Sequence, residues 1–248
     1  FISYNAPHSP LQATEKYLSR FEHIKDPKRR TYAAMVSAVD DGVGKILDQL
    51  EAKGLNENTL VFFLSDNGGP EHANSSDNGV LREGKGSIYE GGNRIPFAMQ
   101  WPGELSPMVY DYPVSALDLM ATFADLADAP LAEDRPLDGV NIIPYLKGKK
   151  KGSPHSTLYI RKFDGDFYSV RDGDLKLVTK ENNSVKELYN LSEDISEEND
   201  IAELYPQELI RLDSLRQKWD AELIDPIFLG LMHTERYIQK RLNNKKRK

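Results

Sequence analysis

Asp66 and Asn67 close the run Leu60-Val-Phe-Phe-Leu-Ser-Asp-Asn-Gly-Gly69, where apolar residues lead straight to a carboxylate and a carboxamide. Oxygen donors of this kind suit a hard cation such as Ca²⁺ or Mg²⁺. Two donors do not fill a calcium shell of about six to eight oxygens. Asp-Asn-Gly-Gly also reads as a plain tight turn, since all four are turn formers. His8 lies between Pro7 and Pro10, as a proton donor, an anion contact or an ordinary surface residue. Lys85 stands between Gly84 and Gly86 in Arg82-Glu-Gly-Lys-Gly-Ser-Ile-Tyr-Glu-Gly-Gly-Asn-Arg-Ile-Pro96. Glycines let backbone approach a ligand closely, and an isolated ammonium suits phosphate or sulfate. A solvated lysine on a glycine-rich loop is the competing reading. The spacing does not fit a phosphate-binding P-loop.

Two apolar segments must position these groups. Phe1-Ile-Ser-Tyr4 reads as a strand that delivers His8, and Leu60–Leu64 as one that delivers Asp66 and Asn67. In open α/β sheets ligands bind beyond the carboxyl ends of the strands, so the four residues are expected at one sheet edge. They form a plausible site for a tetrahedral oxyanion. A metal would polarise its oxygens, Lys85 would offset charge, and His8 would protonate a departing oxygen. Between the two strands, Val36, Val39, Val43, Ile46, Leu47 and Leu50 recur at helical spacing and Gly54 closes the run, predicting a helix over 29–53. Ile95–Trp101 reads as a further buried strand. Ser115 and Asp118 form a capping box ahead of a helix to Ala127.

This order predicts α/β architecture, a mixed, largely parallel sheet flanked by helices. After Lys147-Gly-Lys-Lys-Lys-Gly152 the texture changes to short alternating segments separated by Asp164-Gly165 and Asp172-Gly173. Asp-Gly pairs mark hairpins. A small antiparallel sheet of about four strands is expected, with a helix near 206–223. The expected domains are 1–150, 151–226 and a basic tail, 227–248.

The 248 residues are 39% apolar and 29% charged, with a net charge of −7 and no cysteine. Disulfides and thiolate chemistry are thereby excluded from this chain. The last thirteen residues, Arg236–Lys248, are basic without an acidic side chain, so the body ahead of them is more acidic still. Such a body repels nucleic acid. No apolar run is long enough to span a membrane. The tail reads as a solvated terminus or as a contact for an anionic partner. The chain begins with Phe inside an apparent strand, which suggests that something upstream is missing.

Four quoted stretches, "YNAPHSPLQATEKYL", "RRTYAAMVSAVDDGVGKILDQLEAKGLNENTLVFFLSDNGG", "GKGSIYEGGNRIPFAMQWPG" and "LYNLSEDISEENDIA", resemble consecutive segments of the type I, formylglycine-dependent sulfatases of the alkaline phosphatase superfamily. The resemblance covers almost all of residues 1–223. It implies an alkaline-phosphatase-like sheet followed by a small antiparallel subdomain with a packed C-terminal helix. It further implies that Asp66 and Asn67 are metal ligands, usually for calcium, that Lys85 contacts the sulfate, and that His8 serves as acid for the leaving alcohol. The family's Asp-Asp metal pair, its Cys/Ser-x-Pro-Ser/Ala-x-Arg nucleophile motif and its Lys-x-His pair are not found here. The chain therefore resembles the C-terminal half, and formylglycine is expected in a missing N-terminal half that would be needed as a partner.

The implied activity is hydrolysis of a sulfated sugar or aryl sulfate, with the chain inactive alone. Weaker sugar-contact candidates are His72, Asn74, Arg94, His155 and Arg161, each on a loop and each equally read as surface. The texture is nearer to bacterial polysaccharide or glycosaminoglycan sulfatases than to steroid ones, and such enzymes are usually periplasmic or secreted. Two alternatives stay open. One is a phosphodiesterase or phosphonate monoester hydrolase, although His8, His23, His72, His155 and His233 are not spaced as ligand pairs. The other is a non-catalytic remnant that binds sulfated glycans.

Overall fold

A computed structural model describes residues 1–132, 134–180 and 184–224. The chain divides into two compact units. The first holds 1–79, 83–87 and 91–156; the second holds 80–82, 88–90 and the chain from Thr157 onward.

In the first unit the long helix α1 spans Pro27–Ala52. Asp26 starts it: its carboxylate accepts from the backbone N–H groups of Lys28 and Arg29 at 3.1 and 3.2 Å. These donors have no partner within the helix, so an Asp at this position stabilises the first turn. Proline at the first helical position removes one more orphan donor. Gly54, at φ +64°, turns the chain away after the last turn.

Strand β1, Val61–Leu64, pairs antiparallel with β2, Phe97–Gln100, in the register Val61↔Gln100 to Leu64↔Phe97. Beneath them lies a core of Ile142, Ile143 and Leu146, joined by Phe62, Met99 and Trp101. Phe62 meets Phe97 and Phe123 edge-on, with ring centroids 5.9 and 5.3 Å apart, the arrangement that the ring quadrupoles favour. Helix α2, Asp118–Leu126, begins three residues later than the Ser115 signal implies. Asp118 still caps the turn, accepting from Ser115 N–H at 2.8 Å.

The mixed α/β class stands, with two local corrections. Residues 1–4 form no strand. Tyr4 instead lies on α1, where a Cβ on Gly42 would come within 2.6 Å of its hydroxyl. Moreover, the strands paired in this unit run antiparallel, not parallel. A parallel pair needs a crossover to the opposite end of the sheet. The 65–96 connection instead doubles back to the end of β1 where it began, with Ser65 N–H donating to Pro96 O at 3.2 Å.

The second unit is a four-stranded antiparallel sheet in sequential order: β3 (Thr157–Lys162), β4 (Phe167–Asp172), β5 (Leu175–Lys180) and β6 (Val185–Asn190). Asp166 at φ +51° and Gly173 at φ +60° make the first two turns. Helix α3, Pro206–Glu222, covers one face, where Leu212 joins Val170, Leu177 and Leu188. Because side chains alternate along a strand, Lys176 and Val178 flank Leu177 on the opposite face. Val178 packs there with Tyr189, Leu191, Ile88 and Tyr89. Lys176, 2% exposed, sits 2.8 Å from both Glu90 and Glu197. Arg82 donates to Glu197 O at 2.6 Å and to Tyr189 Oη at 2.9 Å. So the segments at 80–82 and 88–90 are built into this sheet, although the sequence places them in the first domain. The chain boundary falls at Ser156–Thr157. The basic tail lies outside the described residues.

Leu177→Ala removes a fully buried side chain between sheet and α3 and is expected to cost about 2–5 kcal/mol. Ile210→Ala, on the open face of α3, should stay within about 0.5 kcal/mol; urea unfolding of both variants checks the contrast. Burial alone would push the Asp213 carboxyl up, yet Lys186, Arg216 and Gln217 donate to it and hold it below the usual range. The unfolded chain therefore binds that proton more readily, so the stabilisation is present above the unfolded value of about 3.9 and is lost as pH falls through the lowered one. Acid unfolding should accordingly be shallower in Asp213→Asn than in the parent.

Candidate active site

Leu64 is the last residue of β1, and Asp66 and Asn67 follow it in a turn fastened to the chain entering β2. Gly68 N–H donates to Gly92 O at 3.1 Å. Asp66 is exposed, and one of its oxygens accepts from Asn67 N–H at 3.0 Å. Asn67 spends its amide nitrogen on Gly68 O, also at 3.0 Å. Each side chain thus keeps an oxygen, Oδ2 of Asp66 and Oδ1 of Asn67, outside these local bonds.

Three stretches of backbone lie in contact here, and only glycine permits it. A Cβ on Gly68 would fall 1.7 Å from Gly91 O, one on Gly84 2.1 Å from Gly69 O, and one on Gly92 2.4 Å from Ser87 O. Gly84 therefore lies directly on Gly69, and Lys85 is the next residue along. Lys85 is exposed, and no ion pair engages it among the described residues. Asp66, Asn67 and Lys85 are thus gathered by one interlocked set of loops.

His8 is not joined to that set. Its N–H donates to Asn5 O at 2.9 Å, and its Nδ1 lies 2.8 Å from Ser9 O. These bonds close a local turn whose neighbour, Tyr4, rests on α1.

The weaker candidates divide. His72 is exposed on the helical turn Glu71–Asn74, and its carbonyl accepts from Lys28. Arg94 is exposed beside Asn93. Asn74 has a structural part instead: it is 5% exposed, and its Oδ1 accepts from Ser76 N–H at 2.9 Å. His155 is likewise turned inward, with Nε2 at 2.8 and 2.9 Å from the two oxygens of fully buried Asp118. That carboxylate also accepts from Val140 N–H at 2.9 Å; a buried charge needs such partners. Arg161 belongs to the second unit, 3.7 Å from Asp220 and stacked over Phe163.

Sequence reasoning overlooked Asn78. Its Oδ1 accepts from Gly69 N–H at 2.8 Å, and its Nδ2 donates to Gly69 O and Glu83 O, both at 2.9 Å. Ser75-Ser-Asp-Asn-Gly79 is all turn formers, so nothing in it distinguishes this asparagine from a loop filler.

The donor set matches a hard cation in kind, two oxygens from Asp66 and Asn67. It does not match in number, for no group of three His, Asp or Glu side chains is placed to hold a metal among the described residues. No described helix is long and apolar enough to cross a membrane.

Residues 1–129 match the family model described as Sulfatase, and residues 84–221 match that of the N-sulphoglucosamine sulphohydrolase C-terminal region. An uncharacterized sulfatase, YdeN, of Escherichia coli K12 is 34% identical over 84% of this chain and 43% of its own length. Steryl-sulfatase of Mus musculus is 38% identical over 64% of this chain and 26% of its own. The crystal structure of Ps i-CgsB in complex with k-i-k-neocarrahexaose superposes with a TM-score of 0.86 at 36% identity, covering 97% of this chain and 53% of that one. The present chain thus spans less than half the length of these curated relatives. A family model running from the first residue through Asp66, Asn67, Lys85 and α2, together with this likeness over nearly the whole fold, means that the chain belongs to the sulfatase family.

Proposed function

We propose that this chain supplies the C-terminal share of a sulfuric ester hydrolase site, with Asp66, Asn67 and Lys85 facing the sulfate and His8 serving the leaving group. The observation that carries this reading is the interlock of Gly68, Gly69, Gly84 and Gly92, which sets the backbone of the Asp66–Asn67 turn against that of the loop carrying Lys85. Calcium held by Asp66 and Asn67 would polarise the ester, and formylglycine in the complementary N-terminal half would supply the nucleophilic oxygen.

This chain's own residues have simple tasks. Lys85 lies in water-accessible space with no carboxylate paired to it among the described residues, so its charge is available to sulfuryl oxygens as negative charge builds on them. Gly86 beside it, at φ +85° and with open space where a side chain would stand, leaves room for a ligand to approach. His8, exposed on its turn, would give a proton to the departing alcohol oxygen. The sequence lacks cysteine and any Ser-x-Pro-x-x-Arg, so the half carrying the nucleophile must be present for turnover. A sulfated carbohydrate is the favoured substrate, supported by the relative solved with a bound hexaose; an aryl sulfate would serve as surrogate. Export to the periplasm or beyond, where calcium is plentiful, accords with this chemistry.

With both halves present, an aryl sulfate should be hydrolysed well ahead of the matching aryl phosphate, and Lys85→Ala should lower kcat/KM by about 100- to 1,000-fold. Turnover by the 248 residues alone, above that of their own Lys85→Ala variant, would overturn the need for a second half. Binding of a sulfated sugar without turnover in the assembled protein would instead make the chain a glycan-binding module. Calcium titration by calorimetry should lose its binding isotherm in Asp66→Ala of the assembled protein, and chelation should silence the parent; an unchanged isotherm would remove Asp66 from the metal.

A further inference from the structure

We propose that Asn78 is a positioning residue, whose single carboxamide ties the Asp66–Asn67 turn to the Lys85 loop and so fixes the lysine against the oxygen donors. The proposal rests on the reading of this site as sulfate-cleaving, and nothing in the sequence motifs assigns Asn78 a part.

The geometry is that of a two-sided clamp. Asn78 meets Gly69 with both faces of its amide, accepting from the N–H at 2.8 Å and donating to the carbonyl at 2.9 Å. Its second amide proton goes to Glu83 O, also at 2.9 Å. Gly69 is three residues beyond Asp66, and Glu83 is two residues before Lys85. Asn78 is itself fixed from behind, where its N–H donates to Glu71 Oε1 at 2.7 Å.

Glu83 shows why a clamp is needed. Its φ is +60°, a left-handed conformation in which a side chain's Cβ crowds the following carbonyl and which non-glycine residues rarely adopt. Such strain persists only where surrounding bonds over-determine it. Here the Asn78 bond holds the Glu83 carbonyl, and Ser87 Oγ, 2.5 Å from Glu83 Oε2, holds its side chain. The consequence falls on Gly84, whose Cα sits so close to Gly69 O and Asn78 Nδ2 that no Cβ fits. Lys85 leaves the loop from that contact. An ammonium held this way is pre-set for its anion, whereas one on a released loop would lose that ordering when ligand binds.

Asn78→Asp tests this, because it keeps the shape and the acceptor but sets a carboxylate against the carbonyls of Gly69 and Glu83. Hydrogen–deuterium exchange of the chain should then rise at least tenfold at both 66–69 and 83–87. Leu146→Ala, a core truncation in the same unit, should leave those two segments alone. Exchange rising in only one of them, or equally in the core variant, would overturn the proposal. Should Asn78→Asp not fold, Asn78→Ser, which keeps one hydrogen-bonding oxygen, carries the same comparison. In the assembled protein with an aryl sulfate, Asn78→Asp should lower kcat/KM about 100-fold, the scale of a misplaced catalytic group. In a Lys85→Ala background it should cost no more than about twofold further, since groups acting as a unit are not additive; full additivity would overturn action through Lys85. The exchange measurement needs no turnover, so an assembled protein inert toward sulfate esters would refute the hydrolase reading while exchange alone decides the fate of the clamp.

Discussion

The site depends on backbone touching backbone. Gly68 against Gly91, Gly84 against Gly69 and Gly92 against Ser87 are approaches at which any Cβ would overlap a carbonyl. Loops normally run over a surface with side chains holding them apart, and a chain that must fold loops directly on one another can do so only where side chains are absent. The return is rigidity without a large apolar core beneath. Hydrogen bonds such as Gly68 N–H to Gly92 O then form between loops as they do between strands. Asp66, Asn67 and Lys85 derive their proximity from that contact.

Much of the architecture was legible because it is periodic. The 3.6-residue rhythm of Val36 to Leu50 produced α1 within two residues of its ends. The Asp-Gly pairs marked turns of the four-stranded sheet, and the apolar run before Asp66 became β1. The failures have physical causes. Phe1–Tyr4 has a strand's composition, yet pairing is a property of neighbours that composition does not contain, and Tyr4 found Gly42 instead. The antiparallel sense of β1 and β2 depends on where a 32-residue loop returns, a non-local fact. His155 and Asn74 look like available loop polar groups until Asp118 and the Ser76 amide claim them. Asn78 is the opposite case, inconspicuous in a run of turn formers because its importance lies in which carbonyls surround it.

The two units handle polar groups differently. Near Asp66 and Lys85 charges are left open to water, where a ligand can reach them. In the antiparallel unit charges are buried and matched: Lys176 between Glu90 and Glu197, and Asp213 among Lys186, Arg216 and Gln217. Buried pairs contribute little net stability after desolvation, but losing one partner is costly. That contrast separates groups available for recognition from groups committed to shape. It also explains why the conspicuous arginines and lysines of the second unit make poor guides to chemistry.

Lys176 has a bearing on how the sheet lines up. Its neighbours Leu177 and Val178 are both apolar and both completely buried, so greasiness alone would let β5 slide by one position and exchange its faces with little complaint. The ammonium breaks that degeneracy. A slipped strand would drive it in among Val170, Leu188 and Leu212, away from Glu90 and Glu197. One cation thus acts as a key cut for a single alignment of β5 between β4 and β6.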